Sequence, residues 1–327
     1  MKVSPVRPSR SFEQLDVDER RQAAAEFRES TSKSASVSVQ LRRGDARELD
    51  WLPDASVHLV VTSPPYWTLK EYNDTPGQLG HVKEYEEFLD ELDRVWRHAF
   101  RVLVPGGRLV CVVGDVCLSR REHGRHYVMP LHADIAVRCR RIGFDNLNPI
   151  IWLKISNASF EVENGSKFLG KPYEPNAIVK NDMEFILMQR KPGGYRAPTD
   201  EQRKLSMIEK ANFDRWFQQT WTLTGASTRD HPAPFPLELA DRLVRMFSFV
   251  GDTVVDPFAG TGTTLVAAAE AHRNAIGVEI DPAYHAHAAA RLNDVGDLFW
   301  QPRIEVIGAT DGPSQSTRTK SRNRMAR

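Results

Sequence analysis

The chain has 327 residues, 41% of them apolar, and a formal net charge of +1. That length buries a sizeable core in one large domain or one domain with an insertion, and the near-neutral balance leaves any contact with a polyanion to local clusters of charge. Cys111, Cys117 and Cys139 have neither metal-ligand spacing nor an obvious pairing, which suits a reducing cytoplasm, and no apolar run is long enough to span a bilayer or form a signal-peptide core.

Residues 1–36 mix charge with Ser, Pro and Gln; they are expected to form a mobile arm, with Val17 to Phe27 as a candidate short helix. A β-rich run from Val37 to Leu41 leads into Gly44-Asp45, a pair that taken alone suits a turn more readily than a site. Val57 to Val61 is a compact apolar strand that runs into Thr62-Ser63-Pro64-Pro65-Tyr66-Trp67. Adjacent prolines cannot continue a ladder of hydrogen bonds, so the strand stops and the loop projects from its carboxyl end, the rim where open α/β sheets bind ligands. Two prolines make the loop stiff and remove its N–H groups, leaving carbonyls as pure acceptors, and Ser63 adds a hydroxyl. Such a loop suits an amino group, and Tyr66 beside it offers a flat face for an unstacked base.

Pro76 to Gly80 is turn-rich and suits a mobile lid. From Glu84 to Phe100, Tyr85, Phe88, Leu89, Leu92, Val95, Trp96 and Ala99 recur at helical spacing, predicting a helix that packs on the core. Strands are predicted at Leu109–Val113, Ile150–Lys154 and Met183–Met188, and helices at Pro130–Arg141 and Leu237–Phe247. The stretches 155–181 and 193–230 lose periodicity and read as insertions into this α/β pattern. Val254 to Thr264 has the grammar of a strand that ends in a glycine turn and opens a helix, a nucleotide-type pocket in which Asp256 either caps the turn or meets the ligand. Asn274–Glu279 is a further strand with an acid at its tip, the placement that grips ribose hydroxyls. On the helix that follows, Pro282–Leu292, His285 and His287 are two apart and point in different directions, so no metal site is expected. The tail, 308–327, is expected to be disordered and basic enough to attract phosphates.

Taken together, Ser63-Pro64-Pro65-Tyr66 and Asp256-Pro257-Phe258-Ala259-Gly260-Thr261-Gly262 resemble the catalytic and cofactor loops of amino-group DNA methyltransferases that use S-adenosylmethionine, over roughly Gln40 to Leu292. The catalytic loop comes first in the chain, as in the permuted β group of that family. The resemblance implies an α/β, Rossmann-like sheet of seven mostly parallel strands with one antiparallel strand, a catalytic domain over 37–307, and target recognition in 155–181 and 193–230. On that template Ser63 and Pro64 accept the two amine protons, Pro65 completes the stiff loop and Tyr66 stacks the base. Asp45 lies near the adenine of the cofactor, Gly260 and Gly262 make room for its methionine part, Glu279 holds the ribose, and Phe235 and Pro236 close the side. Asp256 and Phe258 complete the cofactor set, while Trp67, Lys154 and Arg229 are candidates for DNA contact against plain surface roles.

The implied partners are double-stranded DNA with one base flipped, a second copy of the chain, and a cognate restriction endonuclease, in a bacterial or archaeal cytoplasm. Ser at the first loop position goes mainly with cytosine N4 in this family, so cytosine-N4 methylation is expected. Adenine N6 stays open, because a hydroxyl both accepts and donates. Carbon-5 methylation would need Pro-Cys, and the three cysteines follow Val110, Val116 and Arg138. A protein that only binds nucleic acid would have no reason to keep the intact loop.

Overall fold

The structure is a computed structural model and describes residues 11–30, 36–70, 72–154, 174–175, 179, 181–225, 235–297 and 300–308. In chain order the strands are β1 (Ser38–Arg43), β2 (Val57–Thr62), β3 (Leu103–Val113), β4 (Val116–Leu118), β5 (Tyr127–Met129), β6 (Asp145–Asn146), β7 (Ile150–Lys154), β8 (Met183–Arg190), β9 (Thr220–Leu223), β10 (Thr253–Asp256), β11 (Asn274–Glu279) and β12 (Arg303–Ile307). Ten of them form one sheet in the order β12-β1-β11-β10-β2-β3-β8-β7-β9, with β6 also paired to β8; β4 and β5 make a separate hairpin. Within the sheet every pairing is parallel except those of β8, which runs against β3, β6 and β7. The expected seven strands run from β1 to β7 in that order, and β12, β9 and β6 extend them.

Alternation along the strands builds a core on each face. In β2, Leu59 and Val61 face one layer, with Leu239 and Leu243 of the helix Leu237–Phe247 and the alanine-rich helix Thr263–Glu270. Val60 faces the other, with Phe88, Leu92 and Trp96 of the helix Tyr85–Val102. Trp96 is completely buried there. Trp96→Ala should therefore cost about 3–5 kcal/mol of stability, seen as a lower midpoint in urea with an unchanged slope.

Two regions depart from the sequence reading. Residues 12–30 are a short turn and the helix Val17–Ser30: the candidate helix at Val17–Phe27 is present, and it docks on the helix Asp200–Leu205 rather than lying in a mobile arm. Phe12 is buried and its N–H donates to Asp200 at 3.1 Å, Glu13 pairs with Arg203, and Ala24 is fully covered. The apolar contact fixes what charge-rich composition concealed. Likewise 193–225 is regular: the helices Asp200–Leu205 and Lys210–Trp216 lead to β9, which pairs with β7. Trp216, Trp221 and Leu223 are core residues, and Trp152 donates through its ring N–H to the Leu223 carbonyl at 2.9 Å. Burial of this aromatic group makes the segment an edge of the main sheet. Most of 155–181, and all of 226–234 and 309–327, lie outside the described residues, which includes Arg229.

Candidate active site

Strands β1, β2, β10 and β11 all end at one edge of the sheet, and their loops line a shared cavity that opens to solvent. Gly44, Asp45, Ser63, Pro65, Phe258, Gly260 and Glu279 line it, together with Tyr72, Gln78, Leu79 and Tyr284. The early Asp45 reaches this late-sequence pocket because β1 pairs with β11 in a register that sets Arg43 opposite Glu279. The chain order alone left that juxtaposition to the resemblance.

On one side lies the glycine turn. Gly260 and Gly262 have φ of 52° and 80°, left-handed values that favour glycine. The buried Glu279 carboxylate accepts from Gly260 N–H at 2.7 Å and Asp281 N–H at 2.8 Å, so it ties the turn to the end of β11. Burial pushes its pKa up to about 7, against the pull of those two N–H groups. Each carboxylate oxygen keeps a lone pair for a further donor, and the group lines the cavity. Asp45 is also desolvated, but Arg47 outweighs that and holds it below the ordinary carboxylate range. Arg47 grips both Asp45 oxygens, pairs with Glu91, and donates to the Gly77 carbonyl at 3.0 Å. Thr75 donates to Asp281 at 2.6 Å, so the segment expected to be a lid is strapped across this side of the cavity.

On the other side lies the proline loop. The Ser63 hydroxyl is 3.2 Å from the Tyr66 hydroxyl, which is 3.2 Å from Glu184 Oε2, and Lys154 Nζ pairs with Glu184 Oε1. Glu184 enters because β8 is reversed: its start, beside Gly114, lies at the edge where the parallel strands end. Nothing in the motif pattern singled out Glu184; an acid inside an otherwise apolar strand was the available signal. Arg47, Tyr72, Gln78 and Tyr284 were also missed, since they gather by tertiary contact.

Several expected residues sit elsewhere. Asp256 is turned inward: its Oδ1 accepts from Thr62 Oγ1 at 2.7 Å and Phe258 N–H at 3.0 Å, and it is absent from the cavity wall. Burial raises its pKa to about 6, partly offset by hydroxyls of Thr62 and Thr264. Of the two roles left open, this geometry is the turn cap. Gly262 meets Ala288 rather than the cavity; a Cβ there would stand 3.0 Å from the Ala288 methyl, so it serves close packing of the helix Pro282–Asn293. Phe235 packs on the core and Pro236 opens the helix Leu237–Phe247, neither lining the cavity. Tyr66 is 5% exposed, and Trp67 is 9% exposed with its ring edge-on to Tyr85 at 5.1 Å, so both are packed rather than offered to solvent. Lys154 remains partly exposed above the Trp152 ring. The thiols offer no nucleophile: burial raises the pKa of Cys111, Cys117 and Cys139 alike.

A family model described as DNA methylase matches residues 57–290. The type II methyltransferase M.MjaI of Methanocaldococcus jannaschii is 40% identical over 269 residues, covering 73% of this chain and 86% of that protein. M.MthZI of Methanothermobacter thermautotrophicus is 35% identical, over 76% of this chain and 75% of that one. Among solved structures, the DNA modification methylase TTHA0409 of Thermus thermophilus, crystallised with S-adenosyl-L-methionine, is 56% identical with a TM-score of 0.69, over 84% of this chain and 99% of that one. The cytosine-N4-specific PvuII DNA methyltransferase shares the fold, with a TM-score of 0.61 at 20% identity over 82% of this chain and 92% of that one. The matched span runs from β2 through the helix Pro282–Asn293 and so takes in both loops of the cavity: the chain belongs to the N6/N4 amino-group DNA methylase family.

Proposed function

We propose that this methyltransferase moves the methyl group of S-adenosyl-L-methionine to the N4 amine of a cytosine flipped out of double-stranded DNA. The observation that carries the reading is Ser63 on the wall of the same cavity as Glu279 and the glycine turn, so that a hydroxyl suited to an amine faces a pocket suited to a nucleoside. The lining fits the cofactor in kind: a carboxylate, glycine backbone and aromatic rings gather around one cavity. A buried carboxylate with lone pairs to spare meets the ribose hydroxyls, and Gly260 removes the side chain that would block approach. When bound, the cofactor supplies an electrophilic methyl on a sulfonium.

The chain's own residues do the rest. The lone pair of an exocyclic amine is delocalised into the ring, so the nitrogen becomes nucleophilic only when it pyramidalises. Hydrogen bonds from its two protons to the Ser63 hydroxyl and the Pro64 carbonyl favour that shape, and alignment replaces covalent help. Asp45 and Phe258 border the adenine side and Glu279 the ribose. Asp256 and Gly262 act one step back, by holding the turn and its helix. The strap over Gly77 excludes water from the cofactor side.

DNA approaches the edge bearing the proline loop. The hairpin of β4 and β5 stands beside residues 67–69 and is anchored by Asp115, whose carboxylate is 2.6 Å from His132 Nδ1. Its tip exposes Arg120, Arg121 and Arg125. We assign phosphate contact to these three and to Lys154. Replacing all three arginines by alanine should weaken DNA binding and flatten the slope of log affinity against log salt by roughly 2–3 units, about 0.9 per lost phosphate contact. The base sequence is read from the region between β7 and β8 and the region after β9, with Arg229 among the readers. The setting is site-specific marking in a prokaryotic cytoplasm, with a cognate endonuclease and a second copy of the chain as partners. Among the described residues no helix is long and apolar enough to cross a membrane.

The test is to incubate the protein with unmethylated genomic DNA and labelled cofactor, digest to nucleosides and identify the product. N4-methylcytosine is the expected result. N6-methyladenine alone would overturn the base assignment, and no transfer to any DNA would overturn the enzymatic reading.

A further inference from the structure

Methylating an amine liberates a proton, and a directed path for it leads away from the cavity wall at Ser63. Glu184 is a carboxylate and only accepts, so the Tyr66 hydroxyl 3.2 Å away must donate to it. With its proton committed, the Tyr66 oxygen accepts, and Ser63 donates to it at 3.2 Å. The remaining lone pairs of Ser63 are then left to accept from whatever enters the cavity that Ser63 lines. One carboxylate thus orients the whole row, and each member stands ready to pass a proton in the same direction. Tyr66 is 5% exposed, so water does not compete along it. At the far end Lys154 pairs with the other Glu184 oxygen and is itself partly exposed, which opens a way out to solvent.

We propose that Glu184 is the terminal proton acceptor of the methyl-transfer step, reached from the amine through Ser63 and Tyr66. The proposal rests on the amine-methylation reading above. The amine nitrogen forms its bond to the methyl carbon while the carbon–sulfur bond breaks, its electron pair staying on sulfur to give a neutral thioether. The nitrogen is left with a positive charge and a proton in excess. That proton passes to Ser63 Oγ as the Ser63 proton passes to Tyr66 Oη and the Tyr66 proton to Glu184 Oε2. Serine and tyrosine end as they began, Glu184 ends as a neutral acid, and charge is conserved. Among the described residues the charged and titratable groups facing Glu184 are Lys154 from β7 and Tyr66 and Tyr72 from the loop and strap; its neighbour at the end of β3 is the uncharged Gly114. Tyr72 holds the row in place through a hydrogen bond to the Tyr66 backbone.

Glu184→Gln keeps an acceptor for Tyr66 and removes the site for the proton; Tyr66→Phe keeps the ring and cuts the row. Each variant of the full chain is compared with wild type in single-turnover transfer to unmethylated genomic DNA across pH, beside cofactor and DNA dissociation constants. A merely structural glutamate would move the constants or the rate at all pH values alike. The expected result is a rate lower by about a hundredfold in either variant, the scale of general acid–base catalysis, with no further loss in the double variant and both dissociation constants within about twofold. The pH profile of transfer changes shape in Glu184→Gln, because the acceptor of the proton is gone. A wild-type rate in Glu184→Gln, or a slower rate with an unchanged pH profile, overturns the relay. Absence of transfer by the wild type overturns the amine-methylation reading instead.

Discussion

Ser63→Ala lowers the single-turnover rate of methyl transfer by a hundredfold or more and leaves the cofactor dissociation constant within about twofold. The size follows from what the hydroxyl does at the barrier. Ser63 lines the cavity with lone pairs left for an amine proton, and the amine's positive charge grows as the methyl arrives. A preorganised hydrogen bond aimed at developing charge is worth about 3 kcal/mol or more, which corresponds to two to three orders of magnitude in rate. In the proposed site the cofactor rests against Glu279 and the glycine turn, on other strands, so binding is spared. The check is rapid-quench transfer set beside calorimetric binding of the cofactor. Equal losses in both would place Ser63 against the cofactor rather than the amine.

Cofactor affinity should rise with pH through about 7 and binding should release a proton near that pH, and Glu279→Gln should abolish both effects. On the proposed placement the ribose hydroxyls donate to Glu279 and so favour its ionised form, whereas burial raises its pKa to about 7 from the ordinary 4.5. Below that pH the proton must be removed before the hydroxyls can bind, at up to about a tenfold loss of affinity per unit. Titration calorimetry in buffers of different ionisation enthalpy counts the proton directly. The same shift has the opposite consequence for stability without cofactor. A folded-state pKa raised above the unfolded one gives stability that is fully present below about 4.5 and lost as pH climbs to about 7. Asp256, raised to about 6 from 3.8, adds to that trend over its own window. Asp45 and Asp281 are held below the ordinary value and act with the other sign, losing their contribution as pH falls below 3.8. Comparison with Glu279→Gln isolates the one group.

Local pattern accounts for much of this protein. The strands at Ile150–Lys154 and Asn274–Glu279 and the helix Leu237–Phe247 coincide with their predicted bounds, because each is a run whose apolar period matches its element and whose ends carry turn residues. The proline loop and the glycine turn were legible for the same reason. Proline and glycine restrict or free the backbone wherever they stand, so their positions mark loops before any fold is known. The candidate helix at Val17 was legible but its docking was not, and strand β9 was missed, because their burial depends on partners distant in sequence: Phe12 against Asp200, and Trp221 in one core with Leu239. The β4–β5 hairpin was missed because its strands are three residues each, too short to carry a period.

The sequence by itself determined the proline loop and the glycine turn, read as amine-accepting and nucleoside-type, since both depend on backbone chemistry local to a few residues. Only the tertiary structure decided which side chains share the cavity. Strand order brought Asp45 beside Glu279 across most of the chain length, and it turned Asp256 under the loop, where its hydrogen bonds to Thr62 and Phe258 are complete. The reversal of β8 set Glu184 behind Tyr66. The physical reason is the same in each case. A carboxylate's partners are fixed by distances between strands, and those distances are set by the packing of the whole sheet rather than by neighbours along the chain.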